Sequence, residues 1–307
     1  MIGISEIGVY IPEKRVSNLA LLEKFETDEA FLTEKIGVMS RSVKSEGQTT
    51  SDLCVKAFES LMKKMPLEIS KIECCVVITQ NPDYAIPHVS AIVHGKLGLP
   101  ESCAVFDISL GCSGYVYGLS ILTSFMKSMG FKMGLLFTAD PYSDIVNPED
   151  KNTAMIFGDA ATVSLLEESG RLVPKAYQLG SKGSAYQNLI KEQSLFMNGR
   201  AVFNFTAGVV PKSIEQLLEK RALMKEDIAY WYFHQGSKYI VDTISTRLGL
   251  NSDLVVFDMY DYGNTVSSSI PILLAKDSAR WCAGQNLVLS GFGVGLSWAS
   301  CVIQVTK

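Results

Sequence analysis

The sequence predicts an α/β chain built of two similar halves, and three observations carry that expectation. Short apolar, β-rich runs alternate with stretches of helical periodicity along nearly the whole chain. Segments of the first half recur in the second in the same order and at nearly constant offset. The chain has 307 residues, 47% of them hydrophobic, enough for a large buried core in one or two domains.

Strands are expected at 73–79, 103–108, 133–139, 161–166, 229–233, 254–259 and 286–290. These runs are continuously apolar, as strands covered on both faces are. Helical spacing predicts helices over 51–65, 88–97, 113–128, 211–221, 237–248 and 266–282. The stretch 180–200, rich in Gly, Ser, Lys and Gln, reads as a loop on the surface or over a site. A strand-like run at 299–305 ends the sequence.

The internal echo is specific in its order. Val105-Phe106-Asp107-Ile108 recurs as Val256-Phe257-Asp258-Met259, about 151 positions later. Leu135 to Ala139 resembles Leu287 to Gly291, and the strand end at Gln80 resembles the strand end at His234. This predicts halves at 1–168 and 169–307, with Cys112 and Asn264 at equivalent places. In such a duplication two central sheets pack on a shared helical layer, and the site falls where the halves meet.

Composition excludes several classes of function. Net charge is −4 and the 28 Lys and Arg residues are scattered, so there is no electrostatic footprint for nucleic acid or a membrane surface. Seven cysteines, with no Cys-x-x-Cys, argue against a disulfide framework or a zinc site, and no metal is expected. The N-terminal Met-Ile-Gly-Ile-Ser-Glu lacks a basic region followed by an apolar one, and no apolar run is long enough to span a bilayer. The expectation is a cytoplasmic protein.

Three residues point to chemistry. Cys112 lies in Asp107-Ile108-Ser109-Leu110-Gly111-Cys112-Ser113-Gly114-Tyr115, after a strand and at the opening of a helix. A helix N-terminus favours thiolate, although an arbitrary cysteine in an apolar segment is usually a core residue. His234 closes the run Tyr230-Trp231-Tyr232-Phe233, where a lone histidine is usually structural. Asn264, in Asp261-Tyr262-Gly263-Asn264-Thr265, is by itself most simply a turn residue in left-handed conformation. His88 and His94 read as surface or interface groups. Together, a thiol, an imidazole and a carboxamide can hold an acyl thioester and stabilise negative charge on a carbonyl. The C-terminal Gly291-Phe292-Gly293-Val294-Gly295 lacks room for a dinucleotide-binding βαβ unit. It reads instead as a tight loop whose N–H groups approach the reacting carbonyl.

These segments resemble the ketoacyl-acyl-carrier-protein synthase III family over essentially the whole chain. The resemblance begins at Gly8-Val9-Tyr10-Ile11-Pro12-Glu13 and Val16-Ser17-Asn18. It continues through Ile36-Gly37-Val38, Arg41, Thr50-Ser51-Asp52-Leu53, the Cys112 segment and Phe157-Gly158-Asp159-Ala160-Ala161. His234-Gln235, Gly263-Asn264-Thr265 and the glycine loop complete it. The resemblance implies a thiolase-like fold, a duplicated five-layer α-β-α-β-α arrangement. It also implies decarboxylative condensation of an acyl-coenzyme A primer with malonyl-acyl-carrier protein, through an acyl group on Cys112, in fatty acid or specialised metabolite synthesis. His234 and Asn264 would hydrogen-bond the enolate, and the N–H groups of Cys112 and Val294 would hold the acyl oxyanion. No permanently bound cofactor is implied, coenzyme A thioester being a substrate, and a homodimer is expected.

The chain departs from the family in several places. Phe31, Lys35 and Lys151 stand at the coenzyme A entrance where the family usually has a tryptophan and arginines. Arg200 and Ser237 replace asparagines, beside Phe203 and Gly236. Val294 interrupts a triple glycine, so a side chain is expected to border the site and restrict φ there. Ile86 stands where a phenylalanine often lines the acyl pocket from the neighbouring subunit. The basic face for the carrier protein is represented by Lys238 and Arg247 and thinned by Asn204 and Tyr239. Those changes keep open acyl transfer to an oxygen or nitrogen acceptor without decarboxylation, and a partner subunit that has lost activity. A cysteine hydrolase is disfavoured because Leu110 breaks the Gly-x-Cys-x-Gly elbow.

Overall fold

A computed structural model describes residues 1–307. Its first half runs β1 (Ile2–Tyr10), the ribbon β2 (Arg15–Ser17) and β3 (Ser40–Ser42), α1 (Thr50–Lys64), β4 (Cys74–Ile78), α2 (Val89–Leu97), β5 (Ala104–Ile108), α3 (Gly114–Met129), β6 (Met133–Ala139), the one-turn α4 (Lys151–Ala154) and β7 (Ala161–Glu168). The second runs β8 (Leu172–Ser181), the hairpin β9 (Leu189–Lys191) and β10 (Leu195–Met197), α5 (Gly199–Lys220), β11 (Ile228–Phe233), α6 (Lys238–Leu248), β12 (Val255–Val256), α7 (Ser269–Asp277), β13 (Asn286–Gly293) and β14 (Ser297–Val305).

The strands order as β5-β4-β6-β7-β1 and, continuing, β8-β14-β13-β11-β12. Between β1 and β8 the register holds one pair, Ile4 with Leu172. Each group of five therefore has the same order, with three parallel strands followed by two antiparallel ones.

Side-chain alternation along the strands builds the layers. Cys74, Val76 and Ile78 of β4 face a central layer formed by α3 and α7, and so do Leu287 and Leu289 of β13. Cys75 and Val77 face the outer helices α1 and α2. On the other side, Trp231 and Phe233 of β11 and Val288 of β13 face α5 and α6. The result is the five-layer α-β-α-β-α thiolase-like arrangement. No helix is long and apolar enough to cross a membrane.

Local signals set the helix boundaries. Thr49 and Asp52 form a reciprocal capping box at α1. The Asp107 carboxylate accepts from the N–H groups of Val89 (2.7 Å) and Ser90 (2.8 Å), so β5 caps α2. Gly130 (φ +73°) and Gly249 (φ +64°) end α3 and α6 in left-handed conformation.

Several expectations need correction. The helix expected from 211 begins at Gly199, where the Asn198 side chain caps Ala201 N–H at 3.1 Å, and Pro211 lies inside it. The segment 180–200 carries the end of β8, a 3-10 stretch over Gly183–Asn188 and the β9-β10 hairpin, and its Leu189, Met197, Gly199 and Arg200 line the cavity described below. The helix expected over 266–282 is a 3-10 turn, Val266–Ser268, followed by the shorter α7, and the strand at 254–259 shrinks to β12. Strands β1 and β8 carried no sequence signal. A register shift between Ile4 and Glu6 spoils alternation in β1, and most of β8 is only partly buried.

One contact between the halves is tight enough to test. A methyl at Gly158 would overlap the Tyr262 carbonyl oxygen, which is backbone and cannot swing away. Gly158→Ala is expected to destabilise the protein by about 1–3 kcal/mol, read as a lower urea midpoint with unchanged m-value.

Candidate active site

Cys112 sits in the connection from β5 to α3, packed under the C-terminal glycine loop. A methyl at Gly291 would lie 2.6 Å from the Cys112 carbonyl oxygen, and one at Gly293 would lie 2.8 Å from the Cys112 sulfur. Only glycine lets the end of β13 run this close. The N–H groups of Val294 and Cys112 reach the sulfur, but burial outweighs them and pushes the thiol up to about 12. Burial thus works against the thiolate that the helix N-terminus favours.

Val294 also differs from expectation. Positive φ falls on its neighbours Gly293 (+154°) and Gly295 (+130°), so the valine is unstrained. Its side chain turns toward Gly111 and does not border the cavity.

His234 lies just beyond β11, and its N–H continues the ladder to Ser290 O at 2.8 Å. The ring is buried, edge-on to Phe292 at 5.6 Å. Burial lowers its pKa to about 3, so the imidazole is neutral. Nδ1 is 2.8 Å from Ser269 Oγ, which is itself 3.0 Å from Val266 O. A Ser269 hydroxyl donating to Val266 O leaves the proton on Nδ1; turned to Nδ1, it leaves the proton on Nε2.

Asn264 Oδ1 accepts from Val266 N–H at 2.8 Å, which turns Nδ2 toward His234 Nε2 at 3.5 Å. Its backbone is clamped as well, N–H to Ile156 O (2.8 Å) and C=O from Gly158 N–H (3.0 Å). The left-handed residue of this turn is Gly263 (φ +80°), not Asn264 as the sequence implied.

Cys112, His234 and Asn264 share the floor of a cavity of about 520 Å³. Phe31, Lys35, Lys151, Arg200, Phe203, Gly236 and Ser237 all line it. Lys151 Nζ donates to Phe25 O (2.8 Å) and lies 5.4 Å over the Phe31 ring. Lys35 lies 4.5 Å over Tyr239, which stacks on Phe203 at 5.1 Å. Arg200 is exposed at the mouth. Ile86, 87% exposed, lies outside the cavity of its own subunit. Lys238 is paired with Asp242 at 2.5 Å, and Arg247 donates to Ala207 O at 2.7 Å.

Sequence reasoning missed Ser269, Phe292, Thr206 and the apolar wall of Ile156, Phe157 and Leu189. The run Ser267-Ser268-Ser269, three residues beyond Asn264, was the available signal, three hydroxyls leading into an apolar helix. Ser267 donates to buried Asp140, which also accepts from Gln80 N–H at 2.7 Å.

A thiol held near pKa 12 gives a testable pH dependence. The thiolate fraction rises tenfold per pH unit below the pKa. Alkylation of Cys112 by iodoacetamide, followed by intact mass, is expected to accelerate about tenfold per unit from pH 7 to 9 without a plateau. A plateau in that window would show a thiolate at neutral pH.

Comparison with known proteins fits this geometry. Residues 106–183 match the model of the family 3-oxoacyl-[acyl-carrier-protein (ACP)] synthase III, and residues 218–305 match the model of its C-terminal region. The chain is 32% identical to the beta-ketoacyl-[acyl-carrier-protein] synthase III of Streptococcus agalactiae, over 98% of both chains. It is equally identical, with the same coverage, to that of Lactococcus lactis subsp. cremoris. A crystal structure of the Thermus thermophilus synthase III superposes with a TM-score of 0.92 at 30% identity, over 98% of each chain. With matching sequence, fold and site geometry, the chain belongs to the beta-ketoacyl-acyl-carrier-protein synthase III family.

Proposed function

We propose that the protein is an acyltransferase that condenses an acyl primer from acyl-coenzyme A with malonyl-acyl-carrier protein, with loss of carbon dioxide, in fatty acid or specialised metabolite synthesis. The observation that carries the reading is the convergence of a thiol, a neutral imidazole and a fixed carboxamide at the floor of one cavity with a cationic mouth. Lys35, Lys151 and Arg200 are suited to the phosphates of coenzyme A, Phe31 and Phe203 to its apolar contacts, and Gly236 and Ser237 to close approach of its arm.

In the first step Cys112 sulfur bonds to the primer carbonyl carbon. The coenzyme A sulfur leaves and takes the thiol proton, so the exchange balances. The N–H groups of Cys112 and Val294 hold the oxyanion in between. The malonyl thioester then loses its carboxylate as carbon dioxide, and the electron pair passes to the thioester oxygen as an enolate. Asn264 Nδ2–H donates to that oxygen, as does His234 Nε2–H once the Ser269 hydroxyl turns to Nδ1. The enolate carbon attacks the acyl carbonyl and expels Cys112 sulfur as thiolate, which takes up one proton from solvent to restore the thiol.

Acyl transfer to an oxygen or nitrogen acceptor needs no enolate, and would leave the fixed Asn264 amide without a task. On the condensation reading, Cys112→Ala acquires no acyl adduct. His234→Ala and Asn264→Ala each lower decarboxylation of malonyl-carrier protein by about 10²–10³-fold. An Asn264→Ala variant of undiminished rate would favour simple acyl transfer.

The reading includes halves at 1–168 and 169–307 that carry the cysteine and the His-Asn pair respectively. It includes a cytoplasmic location, in keeping with seven free cysteines, six of them buried. It also includes a homodimer. Strand β5 is an unpaired sheet edge, and edges of this kind need a cover. Tyr84 (62% exposed) and Ile86 stand in the loop leading to α2, which β5 caps. Ile86 would then line the partner's acyl pocket. Ile86→Asp is expected to shift sedimentation toward monomer and to change which primers load; a wild-type monomer would overturn the dimer.

A further inference from the structure

Thr206 lies on the wall of the cavity in the middle of α5, fully buried, and its hydroxyl has no hydrogen-bond partner. A mid-helix threonine ordinarily satisfies itself by donating to the carbonyl four residues earlier. Thr123 does so to Leu119 (2.6 Å), Thr243 to Tyr239 (2.7 Å) and Thr246 to Asp242 (2.8 Å). Thr206 does not. Among the buried side-chain polar atoms without a partner, Thr206 Oγ1 alone belongs to a residue lining this cavity.

Its depth is informative. Arg200, Phe203 and Thr206 all line the cavity, so α5 runs along its wall from the mouth inward. At 1.5 Å per residue, Thr206 is about 9 Å further in than Arg200. The cations lie at the mouth and the reacting groups at the floor, so this stretch of wall borders the path of the arm joining phosphates to sulfur. The other aliphatic hydroxyl lining the cavity is less available, because Ser237 Oγ accepts from Ile240 N–H (3.3 Å) to cap α6.

We propose that Thr206 is a binding residue whose hydroxyl hydrogen-bonds an amide of the arm that carries the acyl thioester. The inference rests on the proposed thioester chemistry and adds a recognition element to it. An amide supplies both an acceptor and a donor, and either satisfies a buried hydroxyl. In the free protein the hydroxyl is desolvated in advance, so binding gains the bond without stripping water from it.

The test measures acylation of Cys112 by intact mass against thioester concentration, with whichever acyl group loads the wild type best. Three carriers are compared: coenzyme A, N-acetylcysteamine, which keeps the amide nearer the sulfur, and a simple alkanethiol without an amide. Thr206→Val is expected to raise the half-saturating concentration of the coenzyme A thioester about three- to tenfold, the scale of one neutral hydrogen bond. Thr206→Ser restores it, and the amide-free thioester is indifferent to the change. A matching effect with N-acetylcysteamine places the bond on the nearer amide, and an effect with coenzyme A alone places it on the farther one. Equal effects on all three carriers, or none, would overturn the proposal; so would an unchanged half-saturating concentration with a raised Tm, which marks a merely unsatisfied core hydroxyl. Should Thr206→Val fail to fold, Thr206→Ala is read with the same carriers. Failure of wild-type Cys112 to load any acyl group would instead sink the function on which the inference rests.

Discussion

The site depends on a backbone clamp between loops of opposite halves. Asn264 N–H donates to Ile156 O, and Gly158 N–H returns the bond to Asn264 O. Ser42 strengthens the junction, its N–H and its hydroxyl each 3.1 Å from the Tyr262 carbonyl oxygen. Buried backbone groups must be paired, so each loop supplies what the other lacks. With the Asn264 backbone fixed and Oδ1 held by Val266, only its amide Nδ2 is free to serve a ligand. The position of the carboxamide thus follows from main-chain bonding.

Burial then sets the electrostatics. It pushes Cys112 up and His234 down, so the resting floor holds neither thiolate nor imidazolium. The nearby carboxyl, Asp140, is raised to about 6 by burial and held by Ser267 and Gln80. A floor of neutral, oriented donors binds negative charge only as it forms, the condition under which fixed dipoles favour a transition state over a ground state. Formal charge is kept at the mouth, where Lys35, Lys151 and Arg200 are in reach of water.

Much of this was legible in the sequence because it is written in local pattern. Apolar runs such as Cys74 to Ile78 placed the buried strands, and flanking glycines marked Cys112 as more than a core thiol. Strand β1 and the early start of α5 were not legible. A register shift in one and a proline inside the other break the periodicities by which strands and helices are read. Some family motifs proved to be scaffolding. Asn18 Nδ2 donates to Met155 O (2.8 Å) and Val38 O (3.1 Å), while its Oδ1 accepts from Arg41 (2.9 Å). The Met155 bond holds the segment that clamps Asn264, a role that depends on a contact 137 residues apart in sequence. The partners of His234 escaped notice for the same reason: a serine says nothing of its neighbour until α7 packs.

The duplicated topology explains why the chemistry is divided between halves. Strands β4 and β11 are counterparts, as are β5 and β12, so Gln80 corresponds to His234 and the Cys112 loop to the Asn264 loop. Around the shared central layer the reactive loops face one another, and buried hydroxyl pairs tie each to the opposite half. Ser113, beside the nucleophile, is 2.7 Å from Ser297 at the start of β14. Ser268, just before α7, is 2.8 Å from Thr138 of β6. Each reactive loop is therefore registered against the other half's sheet. Neither half alone can hold thiol, imidazole and carboxamide on one floor, so the packing that buries the central helices also assembles the site.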